Sequence, residues 1–428
     1  NAYSYSQLGS PTYSSTGTVV GVARPVLNPL DYTYSMRITF TGYTRGETLL
    51  NFPALVRLGT NLAGFSFAQT ASPTGGDLRF TDSTGTNEIA HEIDEWNDNG
   101  ISSVWVQIPS LTSNAVIWAY WGNPGATTPL AWSTNGAVWV PPSFENQPAY
   151  KVVYHLKEGA LPFADSTQNY PATNGVAPAA VPGIVGQGGA FTGGSWLDAG
   201  TNDVGDAFTL SAWVNIPQVS NIQTIWANQH GGYGAPGFAM WVNTYNNADG
   251  ILELGTGDGA GGGNETKSGL NAVGFGAWHL IEEAINRTNG TSSFYVDGSD
   301  ILDGTGVVKD FTTLADLRLG IFTDGNFGMH GTMDEARIRQ GNSSTNWVWA
   351  DYMTVAQNAT FENYSTVNSS AVYITYQVSG GNLILTWSQG TLQYSSQATG
   401  PYTNLPSATS PYSVPMTGPQ QFYRVHVR

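Results

Sequence analysis

Residues 34–42 read YSMRITFTG, and their alternation decides the fold. Successive side chains of an extended chain point to opposite faces, so Met36, Ile38 and Phe40 share one side. Outward from this strand the same period recurs. FPALVRL (52–58), EIAHEIDEW (88–96), SSVWVQIP (102–109) and AVIWAYWGNPG (115–125) read as strands, and Asp82-Ser83-Thr84-Gly85 reads as a turn. Short alternating runs separated by turn signals predict a β-sandwich over residues 34–140.

WVPPSFENQP (139–148), with three prolines and no period, predicts a boundary. A second β-rich stretch follows over 141–366. Its strands include KVVYHL (151–156), FTLSAWVNI (208–216), GFAMWVN (237–243), WHLIEEAIN (278–286) and GTMDEARIR (331–339). Tyr295-Val296-Asp297-Gly298 predicts a hairpin turn. One helix is expected from Trp347 to about Gln357, capped by Ser343 or Ser344. Residues 367–428 read as a third, smaller β unit. Residues 1–33 form an arm rich in Ser, Tyr, Thr and Pro. The fold class is therefore all-β: three consecutive antiparallel sandwiches behind an extended arm.

Composition supports this. Of 428 residues only 11% are charged, against about 25% in ordinary soluble domains. Such a chain lacks the Lys, Glu and Arg that clothe helices, and its aromatics argue against disorder. Lys and Arg number 15 and Asp and Glu 31, a formal charge of −16. That balance repels nucleic acid. No apolar run is long enough for a membrane span. There is no cysteine, so disulfides and thiolate chemistry are excluded. The chain begins with Asn1, which reads as a leader already removed and predicts an exported, extracellular location.

Three resemblances attach to these segments. Residues 34–136 resemble an uncharacterised bacterial domain family of secreted proteins, through GGDLRFTDSTG (75–85), HEIDEWNDNGISSVWVQIPSL (91–111) and IWAYWGNPGA (117–126). Residues 149–366 resemble the laminin-G-like, concanavalin-type jelly rolls. The marks are VVYHLKEGALPFADSTQN (152–169), AFTGGSWLDAG (190–200), FYVDG (294–298) and GTMDEARI (331–338). This second resemblance implies two packed antiparallel sheets and a sugar- or protein-binding role. Through LTWSQGTLQYSSQATGPYTNLPSATSPYSVPMTGPQQFYRV (385–425), the tail resembles a C-terminal β-sandwich of exported Verrucomicrobia and Planctomycetes proteins.

Candidate chemistry is sparse. Glu92-Ile93-Asp94-Glu95 resembles the carboxylate strand of laminarinase-type glycosidases. Trp96 stands where the third acid would be, so the stretch is expected to be a solvated strand face. The histidines, at 91, 155, 230, 279, 330 and 426, have no metal-ligand spacing, and His155 and His279 are expected to be structural. G-x-S-x-G is absent. The laminin-G-like resemblance implies a structural calcium held by Asp165 and Asp334.

A glycan site would need aromatic faces for pyranose C–H groups, with amides to sort hydroxyls. Trp226, Tyr233, Trp241, Tyr245 and Asn246 supply both. For Trp226 and Trp241 a place in the core is the favoured reading, because both sit in alternating strands; Tyr233 and Tyr245, flanked by Gly and Asn, are the ones expected to be exposed. The leading expectation is a non-catalytic exported protein acting by adhesion, glycan binding or assembly. An alternative is a filament or sheath subunit in which Thr18–Val26 adds as a strand to a neighbouring copy. Another is a polysaccharide hydrolase or lyase using Glu253, Asp258, Glu282 and Glu283.

Overall fold

The computed structural model describes residues 26–140, 149–201, 203–229, 235–260, 263–305, 308–309, 311, 316–369, 374–387 and 390–426. The expected arm strand at residues 18–25, and Tyr233, lie outside the described residues.

The alternation in 34–42 becomes the strand Tyr34–Thr39, with Met36, Ile38 and Phe40 fully buried. It pairs with Val116–Trp121, which pairs with Arg79–Thr81. The facing sheet runs in the order Leu49–Gly59, Ile101–Leu111, His91–Glu95. Phe52, Val56, Val104 and Val106 project from it into the shared core.

The jelly roll packs two larger sheets. One runs Ser299–Thr305, Thr291–Val296, His279–Asn286, Ala207–Asn215, His330–Gln340, Gln187–Thr192, Ala179–Pro182, with Tyr150–Tyr154 also on His330–Gln340. The other runs Gly263–Lys267, Leu252–Gly257, Gly237–Val242, Gln223–Ala227, Asp316–Leu319, Trp196–Thr201, Asn174–Val176. Leu210, Ile281, Phe294, Trp226, Met240 and Leu254 fill the space between them. The Asp297-Gly298 turn forms with both residues at positive φ, as a two-residue hairpin loop requires.

The helix, Thr345–Ala356, begins two residues before Trp347, directly after the cap Ser344. The Ser344 hydroxyl accepts from the Trp347 N–H at 3.1 Å. It follows the jelly roll in sequence but packs on the first sandwich. Trp347 meets Phe52 edge to face at 5.1 Å. The strand Leu49–Gly59 is a sheet edge, and helical side chains satisfy it: Thr354 Oγ1 accepts from Leu55 N, and Asn358 Nδ2 donates to Leu55 O. Next, Asn363–Tyr364 and Asn368–Ser369 pair with Tyr34–Thr39. Residues 345–369 thus close the first sandwich, although local sequence places them at the end of the second.

The jelly roll also enters that core. Tyr150, Val153, Val185, Trp213 and Leu280 belong to the same apolar cluster as the first sandwich. The third sandwich has a core of its own around Leu385, Trp387 and Leu392.

Candidate functional sites: an aromatic rim and a buried charge cluster

Loops at one end of the jelly roll carry the aromatic rim. Trp241 lies on the outer face of its sheet. It rests on Gly255, where an added Cβ would come within 2.6 Å of the indole. From there the rings run outward: Trp241 to Phe322 at 5.8 Å, Phe322 to Phe327 at 5.7 Å, Phe327 to Tyr245 at 6.0 Å with an 88° interplanar angle. Trp241 is 5% exposed and Tyr245 is 63% exposed, so the row starts buried and ends in solvent.

Amides hold this rim in shape. Asn243 is fully buried, at φ +75°. Its Nδ2 donates to Val219 O and Asn221 O, and its Oδ1 accepts from Gly250 N at 2.9 Å. Asn246, at φ +59°, donates its N–H to Asn221 Oδ1. Asp249 accepts from Thr244 N, Thr244 Oγ1 and Ile251 N. Burial pushes the Asp249 carboxyl up, but these bonds outweigh it and hold the group below its usual range. Tyr245 and Asn246 therefore sit on a turn that is fixed before any ligand arrives.

Of the predicted glycan residues, the structure brings Trp241, Tyr245 and Asn246 to this end. Trp226 is a correction. It is fully buried, stacks on Tyr154 and donates from Nε1 to Ser211 O at 3.2 Å. Its strand position turns it into the core, so no ligand reaches it. Sequence reasoning passed over Phe322 and Phe327. The signal was the glycine- and aspartate-rich turn TDGNFG around Phe327.

The second site lies between the first sandwich and the jelly roll. Here the expectation of a solvated Glu92–Glu95 face fails, because the jelly roll covers it. A register shift between Ile93 and Glu95 aims Asp94 inward, and it is 7% exposed. Across the joint, a second shift between Ser211 and Trp213 leaves Glu335 bulged at φ +50°. Bulges re-aim side chains in this way. Leu156, next to His155, is also at positive φ, +61°.

His155 sits among these acids. Its Nδ1 lies 2.8 Å from Glu335 Oε1 and 3.8 Å from Asp94 Oδ1, and its Nε2 lies 3.6 Å from Glu92 Oε1. Lys157 Nζ donates to Asp94 Oδ1 at 2.8 Å. Arg337 donates to Glu335 Oε2 and to Asp351 Oδ1, and lies over Trp105 and Trp139. Ser166 Oγ and Trp139 Nε1 donate to Glu92.

Burial would make the imidazole neutral, but Glu335 and Asp94 outweigh it and hold His155 well above its usual range. Burial likewise opposes Glu335, yet His155 and Arg337 hold it at about 2. Burial, with Glu335 nearby, pushes Asp334 well above its usual range. Asp94, His155 and Glu335 lie close enough to surround a cation, with ligand atoms within 4.8 Å of one another. The ammonium of Lys157 and the guanidinium of Arg337 already supply the positive charge a metal would bring.

The expected calcium pair does not fit either. Asp165 accepts from Val153 N, Thr167 N, Thr167 Oγ1, Asn169 N and Tyr170 N, which surrounds its oxygens with donors. Asp334 accepts from Val185 N and Glu335 N, and it lies so near Gly183 that a side chain there would clash with its carboxylate. Calcium needs free oxygen ligands, and hydrogen-bond donors stand where it would bind.

The enzyme alternative loses its adjacent pair. Glu283 faces the jelly-roll core and is fully buried; Glu282 faces the first sandwich and is 2% exposed. Glu253, on the outer face beside Trp241, is 1% exposed and bridged to Lys267 at 3.0 Å. Asp258 is bridged to Lys309 at 3.7 Å.

Residues 74–154 match a family model described as Domain of unknown function (DUF2341). Residues 191–349 match one described as the Concanavalin A-like lectin/glucanases superfamily. The molecule is thus an all-β protein with a concanavalin-like sandwich. More particularly, the match to the DUF2341 model comes first along the chain and the concanavalin-like match second.

No curated protein matches the chain. Among solved structures, it is similar to domain 4 of AbnA, a GH43 extracellular arabinanase from Geobacillus stearothermophilus, in complex with arabinotriose. The identity is 20% and the TM-score 0.37, over 48% of this chain and 98% of that one. It is also similar to the binding domain of Paraclostridial Mosquitocidal Protein 1 (14%, TM-score 0.40, 62% and 67% covered). A third is the Ruminococcus gnavus IT-sialidase CBM40 bound to α2,3 sialyllactose (13%, TM-score 0.30, 34% and 83% covered).

Proposed function

We propose that this protein is a non-catalytic, exported glycan-contacting module, and that the loop end of its jelly roll makes the contact. The observation that carries this reading is Tyr245. It is a large ring, 63% exposed, held edge-on to Phe327 on a turn fixed by amide hydrogen bonds. Single exposed apolar side chains are ordinary. An exposed ring on a preorganised turn, with Asn246 and Asn247 beside it, suits a pyranose face and its hydroxyls. The lectin and glucanase superfamily description over residues 191–349 supports the same substrate class.

The test is a screen of the full chain against immobilised plant, algal and animal glycans, followed by calorimetry on each hit. Tyr245→Ala should weaken binding at least tenfold with an unchanged melting temperature. Binding that survives Tyr245→Ala and Asn246→Ala would move the contact elsewhere. Release of reducing ends or unsaturated products on incubation would overturn the non-catalytic reading.

A further inference from the structure

The rim around Tyr245 carries charge of one sign. Asp249 closes the turn that presents the ring, and accepts from Thr244 N at 3.1 Å and Ile251 N at 3.3 Å. Burial opposes its charge, but the bonds from Thr244 and Ile251 outweigh burial and keep the carboxyl ionised at neutral pH. Asp324 stands exposed on the turn that presents Phe327, and accepts from Asn326 N at 3.1 Å and Asn326 Nδ2 at 3.0 Å. Phe327 meets Tyr245 edge to face at 6.0 Å. Each of the two turns that build this aromatic contact therefore brings a carboxylate with it.

The same loops bring no base. Val219 and Asn221, residues 243–250 and residues 322–327 build the rim. The chain has no Lys or Arg between Lys157 and Lys267, and none between Arg318 and Arg337, so all of these residues fall inside the two gaps. The cations that bound the gaps near the rim are engaged. Lys267, in the row that runs from Trp241 through Glu253, bridges Glu253 at 3.0 Å and Glu265 at 2.8 Å. Arg318 is two strands along the sheet from Trp241 and rests over the Trp196 ring at 4.2 Å. His279 Nδ1 lies 2.8 Å from Asp297 Oδ2. The polar groups beside the exposed ring are neutral amides, Asn246 and Asn247. An anionic sugar stacked on Tyr245 would give up water around its own charge while facing two like charges.

We propose that the Tyr245 rim takes uncharged glycans and rejects those bearing carboxylate or sulfate groups, with Asp249 and Asp324 setting the choice by repulsion. Specificity of this kind comes from what a site refuses as much as from what it holds. The inference rests on the glycan reading and names its substrate class. Ring stacking is insensitive to salt and repulsion is not, so the two contributions separate on a salt titration.

The experiment sets the full chain against an array of neutral polysaccharides (arabinan, xylan, mannan, galactan, β-glucan) and anionic glycans (polygalacturonate, alginate, carrageenan, heparin, 3′-sialyllactose). Chelator is present throughout, so that no divalent cation bridges two anions. Neutral probes should bind and lose at least tenfold on Tyr245→Ala. Anionic probes should bind about tenfold more weakly than the neutral hits at about 20 mM salt. That gap should narrow at about 500 mM, where screening acts within about 3–5 Å. Asp324→Asn keeps an acceptor for Asn326 and removes one charge. It should narrow the gap about threefold at low salt, with its melting temperature reporting that the turn still folds. Anionic probes that bind as well as neutral ones and depend on Tyr245 would overturn the inference and leave the glycan reading standing. A gap indifferent to both salt and Asp324→Asn would do the same, since discrimination would then owe nothing to charge. An array without a hit, or with hits indifferent to Tyr245→Ala, would overturn the glycan reading and the inference with it.

Discussion

The joint between the first two sandwiches and the strand Thr375–Ser379 of the third treat apolar side chains in opposite ways. At the joint the cover is built in. The hairpin between Ala179–Pro182 and Gln187–Thr192 inserts Val185, the helix lays down Trp347, and an ion cluster fills the remainder. In the third sandwich Tyr376 and Val378 stand in solvent. Buried charge makes a joint exacting, because each member depends on its partners. An exposed apolar pair makes no such demand.

The largest effect should come from breaking the cluster. Glu335→Ala leaves His155 and Arg337 buried without their shared partner. It should cost about 3–5 kcal/mol of the stability of the first two sandwiches in urea unfolding. A loss below about 1 kcal/mol would mean that apolar packing holds the joint without the ions.

The pH profile comes next. The Glu335 carboxyl is depressed from 4.5 to about 2, so its stabilisation is present above 4.5 and lost as pH falls through about 2. His155 is raised, so its stabilisation is present below about 6.5 and lost as pH rises through the raised value. Glu362, on the segment that closes the first sandwich, is pushed by burial to about 8. Its contribution is present below 4.5 and lost as pH rises toward 8. Glu362→Gln should flatten the fall in melting temperature between about pH 4.5 and 8 and leave the limb below pH 4.5 unchanged.

A smaller and opposite change is expected inside the jelly roll. Both carboxylate oxygens of Glu283 are buried with no hydrogen-bond partner. Burial, with Glu253 nearby, pushes this carboxyl well above its usual range. Glu283→Leu should raise stability by about 1–3 kcal/mol, the cost of an unsatisfied buried polar group. A fall in melting temperature would mean that the core needs this group. The smallest effect belongs to Tyr376→Ser, within about 0.5 kcal/mol for the monomer. A loss above about 1 kcal/mol would mean that this exposed ring packs more closely than its accessibility implies.

Period-two alternation made the strands legible, because burial of one face imposes that pattern whatever lies beyond it. Met36, Ile38 and Phe40 were readable, as were the Asp297-Gly298 turn and the Ser344 cap. The charge cluster was half-readable. In a chain with 11% charged residues, HEIDE and DEARIR stand out as charges inside strands. Nothing local says that Asp94 and Glu335 meet, because that depends on two bulges and the docking of two sandwiches. Trp226 and Trp241 look alike in sequence, since both lie in alternating strands. Only the layer covering each face separates them.

The sequence by itself determined the strands, the turns, the helix cap and the all-β class, since each follows from side-chain period and backbone preference over a few residues. Tertiary structure alone decided that residues 345–369 close the first sandwich, that Asp94 and Glu335 meet at His155, and that Tyr376 and Val378 stand exposed. Those outcomes depend on which faces meet across long separations in the chain, and a strand carries no mark of the surface that will cover it.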